Sequence, residues 1–117
     1  MADKDKSAKK PVRYGQVIGV QPGKLEEYKR LHSAVWPGVQ QKITECNIRN
    51  YSIYYKDGLL FSYYEYIGDD YEADMAKMAA DPMTQKWWAE CNPCQEPLET
   101  REPGEWWANM TEVFYQE

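Results

Sequence analysis

The period of apolar and polar positions changes several times along this chain, and each change marks an element. Residues 13–20 are rich in Val, Ile and Tyr and predict a first strand. Pro22-Gly23 ends it and opens a helix predicted over 24–35. On that helix Leu25, Tyr28, Leu31, His32 and Val35 share one face. Trp36-Pro37 breaks it, because the residue before a proline avoids helical geometry, and a second helix is predicted over 38–46. Residues 48–55 alternate as a strand does, with Tyr51, Ile53 and Tyr55 on one face and Ser52 and Tyr54 on the other. Lys56-Asp57-Gly58 is a hairpin turn, and 59–67 is its return strand, carrying Tyr63, Tyr64 and Tyr66. Gly68-Asp69-Asp70 supplies a break and an N-cap for a helix over 71–80 with Tyr71, Met75 and Met78 as its inward stripe. Asp81-Pro82 ends that helix and starts a short one over 83–90 bearing Trp87-Trp88. The proline-rich stretch 92–105 predicts an irregular loop, and 106–115 a closing strand.

The order is β-α-β-β-α-β, with each helical unit split by a proline. This is the α+β, ferredoxin-like plan: a four-stranded antiparallel sheet with the helices on one face. It leaves the other, tyrosine-rich face bare, and such a face is expected to be covered. We therefore expect a homodimer of the dimeric α/β-barrel type, with a cavity between sheet and helices. The domain is expected to span 13–117, after a polar leader over 1–12 that is predicted to be disordered.

Composition sharpens this picture in one respect. Aromatic residues make up 15% of the chain, with ten tyrosines and five tryptophans. Each joins a flat apolar body to a polar handle, which suits a pocket or an interface. The net charge of −5 is unevenly distributed: residues 1–13 hold five basic and two acidic side chains, the remainder 9 basic and 17 acidic. An acidic body repels nucleic acid and anionic membranes, so neither is an expected partner. A neutral metabolite such as a sugar fits the charge better than a phosphate-bearing ligand. No segment approaches a membrane span or a signal-peptide core, which points to a cytoplasmic location.

Three cysteines, Cys46, Cys91 and Cys94, are an odd number and argue against a disulfide-built domain. Cys91 and Cys94 have redox-motif spacing but follow a predicted helix, whereas a reactive cysteine belongs at a helix start, where the dipole favours thiolate. A zinc site would need Cys46 and His32, far apart in sequence. Neither a metal nor any other cofactor is expected.

His32 is the single histidine, and histidine alone exchanges protons near neutrality with an unperturbed pKa. One helical turn from Tyr28, on an apolar face, it is a candidate proton-transfer group. The residues alone leave a second reading open, a core histidine satisfied by a backbone carbonyl and the tyrosine hydroxyl.

Four pieces in order, Glu27-Tyr28-x-x-x-His32-x-x-x-Trp36-Pro37, Asn50-Tyr51-x-Ile53-Tyr54, Lys86-Trp87-Trp88 and Glu112-Val113-Phe114-Tyr115, resemble the L-rhamnose mutarotase family. The resemblance runs from about Tyr14 to Tyr115. It implies a cofactor-free, ferredoxin-like dimer interconverting the α and β anomers of a 6-deoxyhexose, with a monosaccharide as its partner. It also implies that His32 is the catalytic proton donor and that Tyr28, Tyr51, Trp87 and Trp88 contact the sugar. The basic leader, the Cys91–Cys94 stretch with its following loop, and Lys86 where arginine is usual depart from the family pattern. From a different class, a non-catalytic ferredoxin-like dimer could bind a small ligand such as haem through His32. The acidic body and paired tryptophans favour the sugar.

Overall fold

The first predicted strand forms as β1 (Val12–Val20) in a computed structural model that describes residues 10–117. Of the leader expected over 1–12, residues 1–9 lie outside the described residues, and Val12 already belongs to β1. Helices α1 (Leu25–His32) and α2 (Pro37–Glu45) follow, then the hairpin β2 (Ile48–Lys56) and β3 (Leu59–Tyr66), then α3 (Tyr71–Ala80) and α4 (Pro82–Cys91). Helix α1 ends at His32 rather than Val35. Pro37 holds Trp36 extended, at φ −63° and ψ 133°, and itself takes the first turn of α2. Val35 and Trp36 are thereby freed to pack against the core. Aspartates cap the second helical pair: Asp70 accepts from the Ala73 N–H at 3.1 Å and Asp81 from the Thr84 N–H at 2.8 Å.

The strands run antiparallel in the order β2-β3-β1, with β1 hydrogen-bonded to β3 along nearly its whole length. The pairs Tyr14–Tyr64, Gln16–Ser62 and Ile18–Leu60 share the face turned toward the helices. Ile18 and Leu60 are fully buried there, against Tyr28, Leu31, Val39 and Trp87. Each such aliphatic side chain contributes about 1.5–3 kcal/mol of hydrophobic stabilisation. A second cluster, Ile48, Tyr64 and Tyr66, is covered by the predicted stripe Tyr71, Met75 and Met78 of α3. Asp74 pins that helix down. It is buried and accepts from the Tyr66 hydroxyl at 2.6 Å and the Asn47 amide at 2.9 Å, with the Lys77 ammonium 3.0 Å away.

The closing end differs from the prediction. No continuous strand forms over 106–115. The free edge of β1 is paired instead by two short pieces: β4 (Gln95–Glu96) against Gly19 and Val20, and β5 (Ala108–Asn109) against Gln16 and Val17. β4 lies inside the stretch read as irregular, just after a 3-10 turn over Asn92–Cys94. Pro97, Pro103 and Gly104 cut the ladder between the two pieces, since proline cannot donate to it. The fourth position of the ferredoxin-like sheet is therefore filled in two instalments. Gly19 permits the first of them: a Cβ there would lie 2.8 Å from the Glu96 carbonyl oxygen.

Beyond β5 the chain continues along β1 by side-chain contacts. The Arg13 guanidinium pairs with Glu112 at 2.7 Å and lies over the Tyr115 ring, 3.3 Å from its centroid. The sheet face opposite the helices carries Val17, Phe61, Tyr63 and Tyr54, with Tyr54 64% exposed. No helix among the described residues is long and apolar enough to cross a membrane.

Candidate active site

Helix α1 sets Tyr28 and His32 one turn apart, and their rings stack with centroids 4.2 Å apart. The helix carries Glu26 and Glu27 in its first turn and Lys29 and Arg30 in its last, which suits its dipole. Its outer face is tied by Arg30 to Glu27 at 2.6 Å. On the inner face His32 Nδ1 lies 2.9 Å from the Tyr28 backbone oxygen. A carbonyl only accepts, so Nδ1 bears the hydrogen, and in the neutral ring Nε2 is a bare lone pair. Among the described residues no hydrogen bond engages Nε2. Burial lowers the His32 pKa below its ordinary 6.5, opposed by the hydrogen bond to the Tyr28 carbonyl. The ring is accordingly neutral at pH 7.

The paired tryptophans divide their work. Trp87 is buried, and its ring meets the edges of His32 and Trp36, each at 5.2 Å, so it fixes the imidazole from the core side. Trp88, one residue on, is 38% exposed. Tyr51 arrives by a different device. Between Arg49 and Ser52, β2 holds one residue more than β3 opposite it, a bulge with Asn50 in the left-handed region at φ 52°. The bulge breaks the alternation predicted for this strand and sets the Tyr51 ring edge-on to Tyr64 at 5.5 Å. Although Tyr51 remains partly open, desolvation of its hydroxyl pushes the pKa up to about 12.

These side chains converge on one cleft of about 760 Å³ between the sheet and the helices. It is lined by all five site residues read from the sequence: Tyr28, His32, Tyr51, Trp87 and Trp88. Its size falls in the range of small-molecule sites, roughly 300–1,000 Å³. Three further lining residues carry no periodic signal and were missed by sequence reasoning. Gln95, from β4, is buried and donates from Nε2 to the Tyr28 hydroxyl at 3.2 Å. Trp106 donates from Nε1 to Gln95 Oε1 at 2.7 Å. Trp107 packs against the core beside them. The one signal for this group was a second tryptophan pair, Trp106-Trp107, inside an otherwise polar stretch. Burial raises the Tyr28 pKa well above that of an ordinary tyrosine, keeping it protonated.

The cysteines are structural. Cys91 ends α4 and Cys94 ends the 3-10 turn, both thiols are free and buried, and burial pushes Cys91 up to about 12. That is the reverse of a reactive thiolate.

The profile of the family described as L-rhamnose mutarotase matches residues 13–116. The chain belongs to the L-rhamnose mutarotase family. It is 32% identical over 107 residues to an L-rhamnose mutarotase from Oceanobacillus iheyensis, covering 90% of this chain and 98% of that one. To the corresponding protein of Listeria monocytogenes serotype 4b it is 32% identical over 105 residues, covering 88% and 96%. The fold matches the crystal structure of an L-rhamnose mutarotase from Formosa agariphila, with a TM-score of 0.70, 23% identity and coverage of 91% of this chain and 99% of that one. It also resembles tetracenomycin F2 cyclase from Streptomyces glaucescens, at a TM-score of 0.63, 17% identity and coverage of 91% and 96%.

Proposed function

We propose that this member of the mutarotase family interconverts the α and β anomers of L-rhamnose or a related 6-deoxyhexose, as a cofactor-free homodimer in the cytoplasm. The observation that carries the reading is a neutral histidine whose unengaged Nε2 belongs to a cleft walled by tryptophan and tyrosine. In the ring-opening step, Nε2 takes the proton of the anomeric hydroxyl as the bond between C1 and the ring oxygen breaks. The same proton passes from Nε2 to the released ring oxygen, which lies beside the anomeric oxygen because both were bonded to C1. The open aldehyde rotates about C1–C2, and closure runs the transfers in reverse onto the other face. His32 is thus base and proton donor in turn, and no electron, phosphate or leaving group enters the balance. Tyr28, held protonated, donates a hydrogen bond to the oxygen on which negative charge develops. Trp88, with the part of Trp87 that lines the cleft, lies against the apolar C–H face and methyl group of the sugar.

The haem reading of His32 is less favoured. Among the described residues Arg49 is the one cationic side chain lining the cleft, and its Nη1 is committed to the Thr44 and Ile48 carbonyls at 3.0 Å each, a poor provision for two propionates.

The test is saturation-transfer NMR on the anomeric signals of L-rhamnose. Wild-type protein should accelerate the exchange. His32→Gln keeps most of the side-chain volume and should lower the rate by about two to four orders of magnitude while leaving the melting temperature nearly unchanged. A stable and fully active His32→Gln protein removes His32 from the mechanism.

A further inference from the structure

The segment that the sequence left as loop carries a side chain that no periodicity picks out. Gln95 is 5% exposed, and both ends of its amide are engaged. The direction of these bonds follows from donor chemistry alone. An indole N–H can only donate, so the atom of Gln95 facing Trp106 Nε1, at 2.7 Å, is the oxygen. The amide nitrogen is thereby turned to the Tyr28 hydroxyl, at 3.2 Å. An amide nitrogen also only donates, so the phenol oxygen must accept. Among the described residues this is the sole hydrogen bond of the Tyr28 hydroxyl, and its own proton is left uncommitted at the cleft wall. β4 is only two residues long, yet it holds this amide. Gln95 pairs with Val20 of β1, and its backbone oxygen takes a further bond from the Gln21 side chain at 3.4 Å.

We propose that Trp106 and Gln95 form a positioning relay that fixes the Tyr28 hydroxyl as a hydrogen-bond donor toward the substrate. The inference rests on the mutarotase reading and deepens it: neither residue touches the reacting atoms, and both act through Tyr28. With the relay intact, the phenol proton points to the oxygen that gains charge as the ring opens. With the amide reversed or removed, the phenol turns its proton to another partner and the developing charge loses its donor.

Two substitutions separate positioning from packing. Gln95→Leu removes the relay at similar volume. It should lower kcat by about 10- to 100-fold with little change in KM, short of the roughly 10²–10³-fold loss on deleting a donor outright. Gln95→Glu keeps the shape and makes polarity depend on pH. The ionised carboxylate accepts from both Trp106 and Tyr28, so the phenol proton is drawn away from the cleft. The protonated carboxyl accepts from Trp106 and donates to Tyr28, which restores the native direction. Tyr28 is the titratable group bonded to this side chain, and around Tyr28 lie His32 of α1, Tyr51 of β2, Cys91 of α4 and Cys94 of the 3-10 turn. No cation among them contacts the introduced carboxyl, so burial should raise its pKa above the ordinary range near 4.3. Activity of Gln95→Glu should therefore rise as pH falls from about 8 to about 5, where wild-type activity is level or falling.

Wild-type exchange of L-rhamnose anomers is recorded alongside, together with the ¹³Cζ signal of Tyr28 in tyrosine-labelled protein, assigned by its loss in Tyr28→Phe. The relay predicts a shift of that signal in Gln95→Leu and a pH-dependent one in Gln95→Glu. Active wild type with kcat of Gln95→Leu within twofold, or a Gln95→Glu pH profile parallel to that of wild type, overturns the relay and leaves the mutarotase reading standing. Wild type without exchange overturns the mutarotase reading, and an unmoved Tyr28 signal then overturns the relay on its own evidence.

Discussion

At the scale of single residues, an ordinary helical spacing supplies the proposed proton-transfer group. A histidine four residues after a tyrosine bonds its Nδ1 to that tyrosine's carbonyl and is left with one free nitrogen. The pH dependence follows from the sign of its shift. Folding lowers the His32 pKa below 6.5 because burial disfavours the charged ring. As the base must be neutral, anomer exchange should hold level through neutrality and fall on an acid limb whose midpoint lies below 6.5. Tyr28, shifted upward, adds no alkaline limb below its ordinary range. NMR exchange rates between pH 4.5 and 9 on a rapidly equilibrating rhamnose sample check both limbs; an acid midpoint above 6.5 contradicts a buried, neutral base. Stability should follow the same group, since a depressed histidine pKa stabilises the fold above the unfolded value and is lost as pH falls through the folded one.

At the scale of elements, short segments do the positioning. A one-residue bulge aims Tyr51, a proline holds Trp36 extended and opens α2, and a two-residue strand carries Gln95. Helix α3, whose Met75 and Met78 also line the cleft, is held by a buried carboxylate instead. Hydrogen bonds from Tyr66, Asn47 and Lys77, in that order, hold Asp74 down at about 2 from an ordinary 3.8. A depressed carboxylate stabilises the fold above its unfolded pKa, and that contribution is lost as pH falls from about 3.8 to about 2. Asp74→Asn should lower the melting temperature at pH 7, because an amide offers Tyr66, Asn47 and Lys77 one acceptor oxygen where the carboxylate offered two. The penalty should shrink toward pH 2. Thermal melts of the two proteins across pH 2–7 give the comparison; parallel curves would place the acid sensitivity elsewhere.

At the scale of the molecule, the sheet has two faces and helices for only one. The uncovered face presents Tyr54, and the tail beside β1 presents Val113, 95% exposed, and Phe114, 77% exposed. Apolar surface of this kind calls for a partner, and a second copy burying the same face against itself is the simplest closed arrangement. Light scattering at micromolar concentration should report twice the monomer mass. Phe114→Asp together with Tyr54→Lys should shift the protein toward monomer and leave the helix-covered core folded. A wild type that runs as a monomer contradicts this arrangement.

How much of this was legible in the chain depends on the range of the interactions involved. Binary patterning alone determined β1, the β2–β3 hairpin, the helices with their proline breaks and the inward stripe of α3, because each rests on contacts within a few residues. The candidate site was half legible in the same way: Tyr28 and His32 share a helical face, and the Trp87-Trp88 pair is visible as a pair. Which tryptophan faces the core was not, since both belong to one turn and only the packing of His32 and Trp36 decides between them. The closing edge was misread for a related reason. Residues 95–96 and 108–109 gain their hydrogen bonds from β1, at the opposite end of the chain, and have no pattern of their own to announce it. Gln95 is the sharpest case: an exposed-looking polar residue in a proline-rich stretch becomes buried and fully bonded only when Gly19 lets β4 close against β1 and Trp106 folds back over it. Local sequence determined what the elements are; long-range closure decided which side chains meet, because a hydrogen bond across 67 residues leaves no trace in local periodicity.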